Sequence, residues 1–154
     1  MSDRITGTTG TRTRSLLRTL ALAVGAVFLL VGVLGFIPGI TTNYDSMEFA
    51  GHESQAKLLD VFQVSILHNI VHLLFGVAGI AMSRRADTAF TYLVGGGAIY
   101  LVLFVYGLVV GQNVDGNFVP LNDADDWLHL VLGVGMIAAG LLGRKADRSS
   151  PNHI

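Results

Sequence analysis

The sequence predicts an all-α, polytopic membrane protein: a four-helix transmembrane bundle built from two parallel, repeated helical hairpins. Three observations lead there. Four apolar stretches have the length of a bilayer crossing, nine of the ten Lys and Arg residues lie on one side of them, and part of the chain repeats itself. Apolar residues make up 51% of the 154 positions, and the mean hydropathy of +0.58 exceeds that of an ordinary soluble domain.

The apolar stretches are Thr19 to Gly39, Val61 to Met82, Ala89 to Gly111 and Trp127 to Gly143. As helices they would extend about 31, 33, 34 and 25 Å, against a hydrocarbon core of about 30 Å. They place one transmembrane domain over residues 16–146, preceded by a disordered basic segment (1–15) and followed by a disordered tail (147–154). The first stretch has a basic leader, but its apolar core is too long for a signal peptide and no A-x-A-like cleavage site follows, so it is expected to be retained.

Charge distribution orients the bundle. Arg4, Arg12, Arg14 and Arg18 precede the first span; Arg84 and Arg85 join the second to the third; Arg144, Lys145 and Arg148 follow the fourth. The positive-inside rule makes all three segments cytoplasmic, in a multi-pass plasma-membrane protein with both termini inside. The two remaining loops carry Lys57 against Asp45, Glu48, Glu53, Asp60, Asp115, Asp123, Asp125 and Asp126, so the exterior is acidic. Trp127 and Tyr44 suit the outer interfacial belt. With a net charge of −1 and no cysteine, the chain offers no nucleic-acid surface, disulfide or thiolate metal site. Its expected partners are the lipid bilayer and a second membrane protein or copy of itself.

The repeat pairs the fifteen residues from Gly25 to Gly39 with those from Gly97 to Gly111, without a gap and with six identities. Separately, His72-Leu-Leu-Phe-Gly76 aligns with His129-Leu-Val-Leu-Gly133, and each block exits through a basic-Ala-Asp sequence ending at Asp87 or Asp147. Helix one would thus correspond to helix three, and helix two to helix four. Since both first members run outward, the halves should be related by an axis along the membrane normal. In the long first outer loop, Thr41 to Glu53 reads as surface loop and Ser54 to Asp60 as an early start of the second helix.

At 100° per residue, Ser65, His68, Asn69, His72, Gly76, Gly79 and Ser83 share one face of the second helix. On the fourth, Asp126, His129, Gly133, Met136, Gly140 and Gly143 form a similar stripe. Small residues allow close backbone approach, and polar ones avoid lipid by facing protein. Gly25, Gly32, Gly35, Gly39, Gly76, Gly79, Gly107, Gly111 and Gly133 are therefore the candidate helix-packing glycines, with packing inside one chain favoured over a dimer face.

The candidate polar or ligand site comprises His68, Asn69, His72, Asp126 and His129. Measured from the level of Arg84 and Arg144, the three imidazoles would sit about 24, 18 and 22 Å up, in one layer of the outer half. His68 and His72 have the i, i+4 spacing of helical metal ligands, and Asp125 or Asp126 would complete a set with His129. The competing reading is that the histidines pack and hydrogen-bond between helices, while the two acids serve the helix N-terminus. That reading is preferred, so no metal or cofactor is assigned, and an enzyme is not expected. Asn122 to Asp126 lacks the glycine and terminal Glu of a calcium loop. Gly95-Gly-Gly97 lacks the Lys-Ser/Thr of a phosphate loop and is expected at a flexible or close-packed helix start.

The runs Gly39-Ile-Thr-Thr-Asn-Tyr44, Ala50-Gly-His52, Val64 to Gly79 and Asp126-Trp-Leu-His129 through Ile137 resemble a family of actinobacterial four-helix membrane proteins catalogued as a domain of unknown function. The resemblance spans most of the chain and implies the four-helix fold without an activity. In the family pattern the position of Asp126 usually carries Asn, matching Asn69, so Asp126 departs from a strict two-fold polar site. Two functions follow for testing: a non-enzymatic structural or accessory membrane component, or a protein that binds a metal, haem or proton at the histidine layer.

Overall fold

A computed structural model describes residues 15–110 and 116–149. The element order is α1 (Leu16–Leu34), β1 (Thr41–Thr42), a 3-10 turn (Tyr44–Ser46), β2 (Lys57–Leu58), β3 (Phe62–Gln63), α2 (Ile66–Met82), α3 (Ala86–Val110) and α4 (Asp123–Ser149). Helices α1, α3 and α4 are long and apolar enough to cross a membrane, and α2 is a shorter apolar helix of 17 residues. The expected basic N-terminal segment falls almost entirely outside the described residues, as does Gly111.

Helix α1 starts at Ser15, whose hydroxyl accepts from the Arg18 amide at 3.4 Å. Its apolar sequence runs to Gly39, yet the helix stops at Leu34. Pro38 supplies no amide donor and disfavours helical geometry in the residue before it. Thr41 then folds back, its hydroxyl donating to the Leu34 and Gly35 carbonyls at 3.2 Å each. Gly39 adopts φ +92° with open space around it. It is therefore a turn glycine and not the helix-packing residue its spacing implied; a left-handed φ is what only glycine adopts without strain.

The first outer loop also departs from expectation. Ser54 to Asp60 does not begin α2: Lys57–Leu58 is the middle strand of a three-stranded antiparallel sheet, paired with Thr41–Thr42 on one side and Phe62–Gln63 on the other. The alternation Ala56 in, Lys57 half-out, Leu58 in carries the strand, and buried Ala56, Leu58 and Val64 pack on Val31, Leu34 and Met47. This cap closes the end of the bundle away from Arg84 and Arg144, and α2 begins only at Ile66. At the other extreme, α4 runs to Ser149, so residues 147–149 of the expected tail are helical. Its last turn is anchored there: Asp147 accepts from the Leu16 amide at 2.7 Å and the Leu17 amide at 3.4 Å.

Within the bundle α1 packs most extensively along α2, and α3 along α4. Between them lies a core of Leu17, Ala21, Phe28, Ala89, Tyr92, Leu93, Tyr100 and Met136. The outward faces are a continuous apolar girdle that includes Val27, Leu74, Val102, Val109, Val131 and Leu142. An apolar surface of that extent is what lipid covers and water does not.

Glycines set the helix spacing. A Cβ on Gly25 would stand 2.8 Å from the Ile80 nitrogen and 3.0 Å from the Gly76 carbonyl oxygen; one on Gly97 would stand 2.7 Å from the Gly133 oxygen and 3.1 Å from the Ile137 nitrogen. Gly32, Gly35, Gly76, Gly79, Gly107 and Gly133 are also in tight contact. Gly95 to Gly97 lies in the interior of α3, well past its start at Ala86. Gly96 and Gly97 face neighbouring helices, and Gly95 faces open space. Gly96, Gly97, Gly140 and Gly143 thus join the packing set.

Candidate functional site

The polar residues of α2 and α4 are placed by two helix caps. Ser65 is fully buried and its hydroxyl accepts from the His68 amide at 3.1 Å. That bond sets His68 and Asn69 in the first turn of α2, with His72 one turn below His68. On α4 the cap is reciprocal: the Asn122 side-chain oxygen accepts from the Asp125 amide at 3.0 Å, and Asp125 accepts from the Asn122 amide at 3.1 Å. Such mutual capping satisfies two otherwise orphaned donors. The same Asp125 carboxylate accepts from the Gln63 amide at 3.0 Å, while the Asn122 amide group donates to the Val61 carbonyl at 2.8 Å. Asp125 and Asn122 therefore fasten the sheet-bearing cap to α4, which leaves Asp125 outside the histidine layer.

The three imidazoles come together. His68 and His72 have ring centroids 4.5 Å apart, and His68 and His129 are 6.5 Å apart. Phe28 lies 5.6 Å from His72, Tyr100 lies 5.2 Å from His129, and Phe28 and Tyr100 stack on each other at 5.3 Å. The His68 ring also interacts with the Pro120 carbonyl. His68 and His129 are buried, and His72 is partly buried.

Asn69 and Asp126 lie next to this layer but point away from it. Asn69 sits over Gly35 of α1 and donates to Met47 Sδ at 3.8 Å; Asp126 sits over Gly107 of α3. A Cβ at either glycine would overlap those side chains. The physical reason is helical phase. Each residue precedes its histidine by three positions, a rotation of about 60° toward the neighbouring helix. Among the described residues no hydrogen bond or ion pair joins Asp126 to His129. The five candidate residues thus form one polar level with two kinds of occupant: histidines facing the centre, and an amide or carboxylate seated on a glycine of the adjacent helix.

Among the described residues, five buried polar atoms of this level have no protein partner: Nδ1 of His68, His72 and His129, Oδ1 of Asn69 and Oδ1 of Asp126. Buried polar atoms are ordinarily satisfied, so these are the groups to which a water, proton or small donor would bind. A metal fits them less well. Imidazoles sharing one tetrahedral zinc, with Zn–N bonds of roughly 2.0–2.1 Å, have centroids about 5 Å apart, and among the described residues no three His, Asp or Glu converge in a metal-holding group.

Sequence reasoning missed Tyr100, Phe28, Gln63 and Asn122. The first two were readable in principle, because Phe28 and Tyr100 occupy the same position of the repeat. Asn122 had a signal as well, in the Asn-x-x-Asp spacing of a capping box. Gln63 had none, since its contribution is a backbone amide.

Comparison with known proteins adds a family. Residues 18–142 match the model described as a domain of unknown function, DUF4383. No curated protein and no solved structure matches the chain.

Proposed function

We propose that this chain, which belongs to the DUF4383 family by a match over most of its length, is a multi-pass plasma-membrane protein with a non-enzymatic, structural or accessory role. In this reading both termini and the Arg84–Arg85 turn are cytoplasmic, and the sheet-bearing cap faces outward. The support for orientation is the segregation of Lys and Arg. The ends grouped by contact agree with it: Arg18 of α1 donates to the Ser83 carbonyl after α2 at 3.2 Å, and Arg144 of α4 stacks on Phe90 of α3 at 4.5 Å.

We also read the bundle as two repeated hairpins. Equivalent positions support this by making equivalent contacts: Gly25 with Gly76 and Ile80, as Gly97 with Gly133 and Ile137; Gly35 with Asn69, as Gly107 with Asp126; Phe28 with His72, as Tyr100 with His129. Phe28 stacks on Tyr100, the residue at its equivalent repeat position, and this contact supports a local two-fold relation between the hairpins. This pairing is the observation that carries the structural role. The inward residues of α2 and α4 are committed to helix contacts, each seated against a glycine or an aromatic ring.

The unpartnered imidazole nitrogens favour a second reading, in which the layer holds a proton or a small hydrogen-bond donor. Metal analysis and an optical spectrum of purified protein separate the two. A structural layer gives neither metal nor cofactor absorption, whereas stoichiometric metal or a haem band overturns it. Because the chain has no cysteine, single cysteines placed at Asp45 and at Arg85 test orientation by impermeant labelling. Labelling of the Arg85 site alone from outside refutes the proposed topology.

A further inference from the structure

At the basic end of the bundle, the starts of α1 and α3 and the end of α4 enclose a groove of about 570 Å³, lined among others by Leu17, Phe90, Thr91, Arg144 and Arg148. A second groove of about 590 Å³, lined by Leu141, Arg144, Lys145, Arg148 and Ser149, adjoins it across the same arginine pair. The lower walls are apolar, and exposed Leu141 and Leu142 continue them down the outer face of α4.

Two acids also line the first groove, and both are engaged. Asp87 pairs with Arg85 at 2.9 Å. Asp147 spends its oxygens on the first amides of α1. Arg144 and Arg148 are exposed and make no ion pair among the described residues. The Phe90 ring holds the Arg144 guanidinium from one face at 4.5 Å. A guanidinium held over an aromatic face keeps N–H donors available for a contact with a phosphate.

We infer that this groove binds the phosphate head group of an anionic diacyl phospholipid, with Arg144 and Arg148 on the phosphate and an acyl chain along Leu141 and Leu142. The inference rests on the membrane-spanning reading of the helices. Charge decides the occupant: a zwitterionic head group places its own cation near two arginines, and a free anion has no use for the apolar walls. Basic pockets between helices at a membrane surface recognise anionic lipids through this combination of charge and adjoining apolar surface.

The test is native mass spectrometry of the full-length protein, purified in a neutral detergent and titrated with phosphatidylglycerol or phosphatidylcholine. Phosphatidylglycerol adducts should exceed phosphatidylcholine adducts, and Arg144→Gln with Arg148→Gln should weaken them about tenfold or more. Arg84→Gln, at the same end but outside the groove, should leave them unchanged. Thr91→Trp keeps every charge and fills the groove, so it should also remove binding and guards against misfolding of the double variant. Millimolar inorganic phosphate should fail to displace the lipid. Equal adducts for both lipids, equal loss in Arg84→Gln, displacement by phosphate, or a dimer in place of the adduct would each overturn the assignment. Failure of the membrane reading is separately visible, as recovery of the protein in the soluble fraction before any detergent is added.

Discussion

Replacing Gly25 by Ala probes the helix contact on which the bundle depends. The added Cβ would stand 2.8 Å from the Ile80 nitrogen, 2.9 Å from the Gly79 carbonyl carbon and 3.0 Å from the Gly76 oxygen. All three are backbone atoms, so no side-chain rotation relieves the overlap. Comfortable carbon contacts lie at roughly 3.5–4.0 Å, which requires α1 and α2 to part by about 0.5–1 Å. Overpacking of this kind costs about 1–3 kcal/mol, and the better helix propensity of Ala returns about 1 kcal/mol, leaving a net loss of up to about 2 kcal/mol and a gap of about 1–3 kcal/mol to a glycine with free space. Gly97→Ala should match it, because its Cβ meets the Gly133 oxygen at 2.7 Å and the Ile137 nitrogen at 3.1 Å. Gly95→Ala and Gly135→Ala are controls with nothing within 4 Å, and should be neutral or stabilising. Unfolding in mixed micelles, followed by far-UV circular dichroism, measures all four. If Gly25→Ala and Gly95→Ala agree within about 0.5 kcal/mol, the close approach does not exist. If only one of the two contact glycines is sensitive, the equivalence of the hairpins fails.

Asp125→Ala removes the acceptor for the Gln63 and Asn122 amides; it should cost about 1–3 kcal/mol and speed hydrogen exchange at both amides, and unchanged exchange would show that the cap is held otherwise. Leu59 turns the β2–β3 hairpin with φ of +54°, a left-handed geometry that Asn tolerates better than Leu, so Leu59→Asn should stabilise the cap by about 1 kcal/mol; a lower melting temperature refutes that turn. His72→Gln with His129→Gln should change stability only modestly, since hydrogen bonds in membrane bundles average about 0.6 kcal/mol. A collapse of folding in the double variant would show that the imidazoles do more than pack.

The helical part of the fold was legible because lipid imposes a simple rule: long apolar runs, with every polar side chain on one stripe. His68, Asn69 and His72 on α2, and Asp126 and His129 on α4, could be phased from that rule alone. Its limits appear where the backbone leaves the helix. Apolar sequence continued through Phe36 and Ile37, but Pro38 and Gly39 decided the ending. In the cap, strands two residues long are too brief for alternation to stand out against a helical reading of Ser54 to Asp60. The candidate site was legible as a level, and less so as a set of contacts. A sixty-degree difference in phase sends Asn69 and Asp126 to glycines on α1 and α3, and only the approach distance of those helices reveals it.

The first helix of this protein is completed by its last. The amides that open α1 are received by a carboxylate 131 positions downstream, a partner that does not exist while α1 is being made. Until α4 is wound to its last turn those donors lack this acceptor. This latch between α1 and α4 can therefore form only once Asp147 has been made, and a chain ending before Asp147 lacks it.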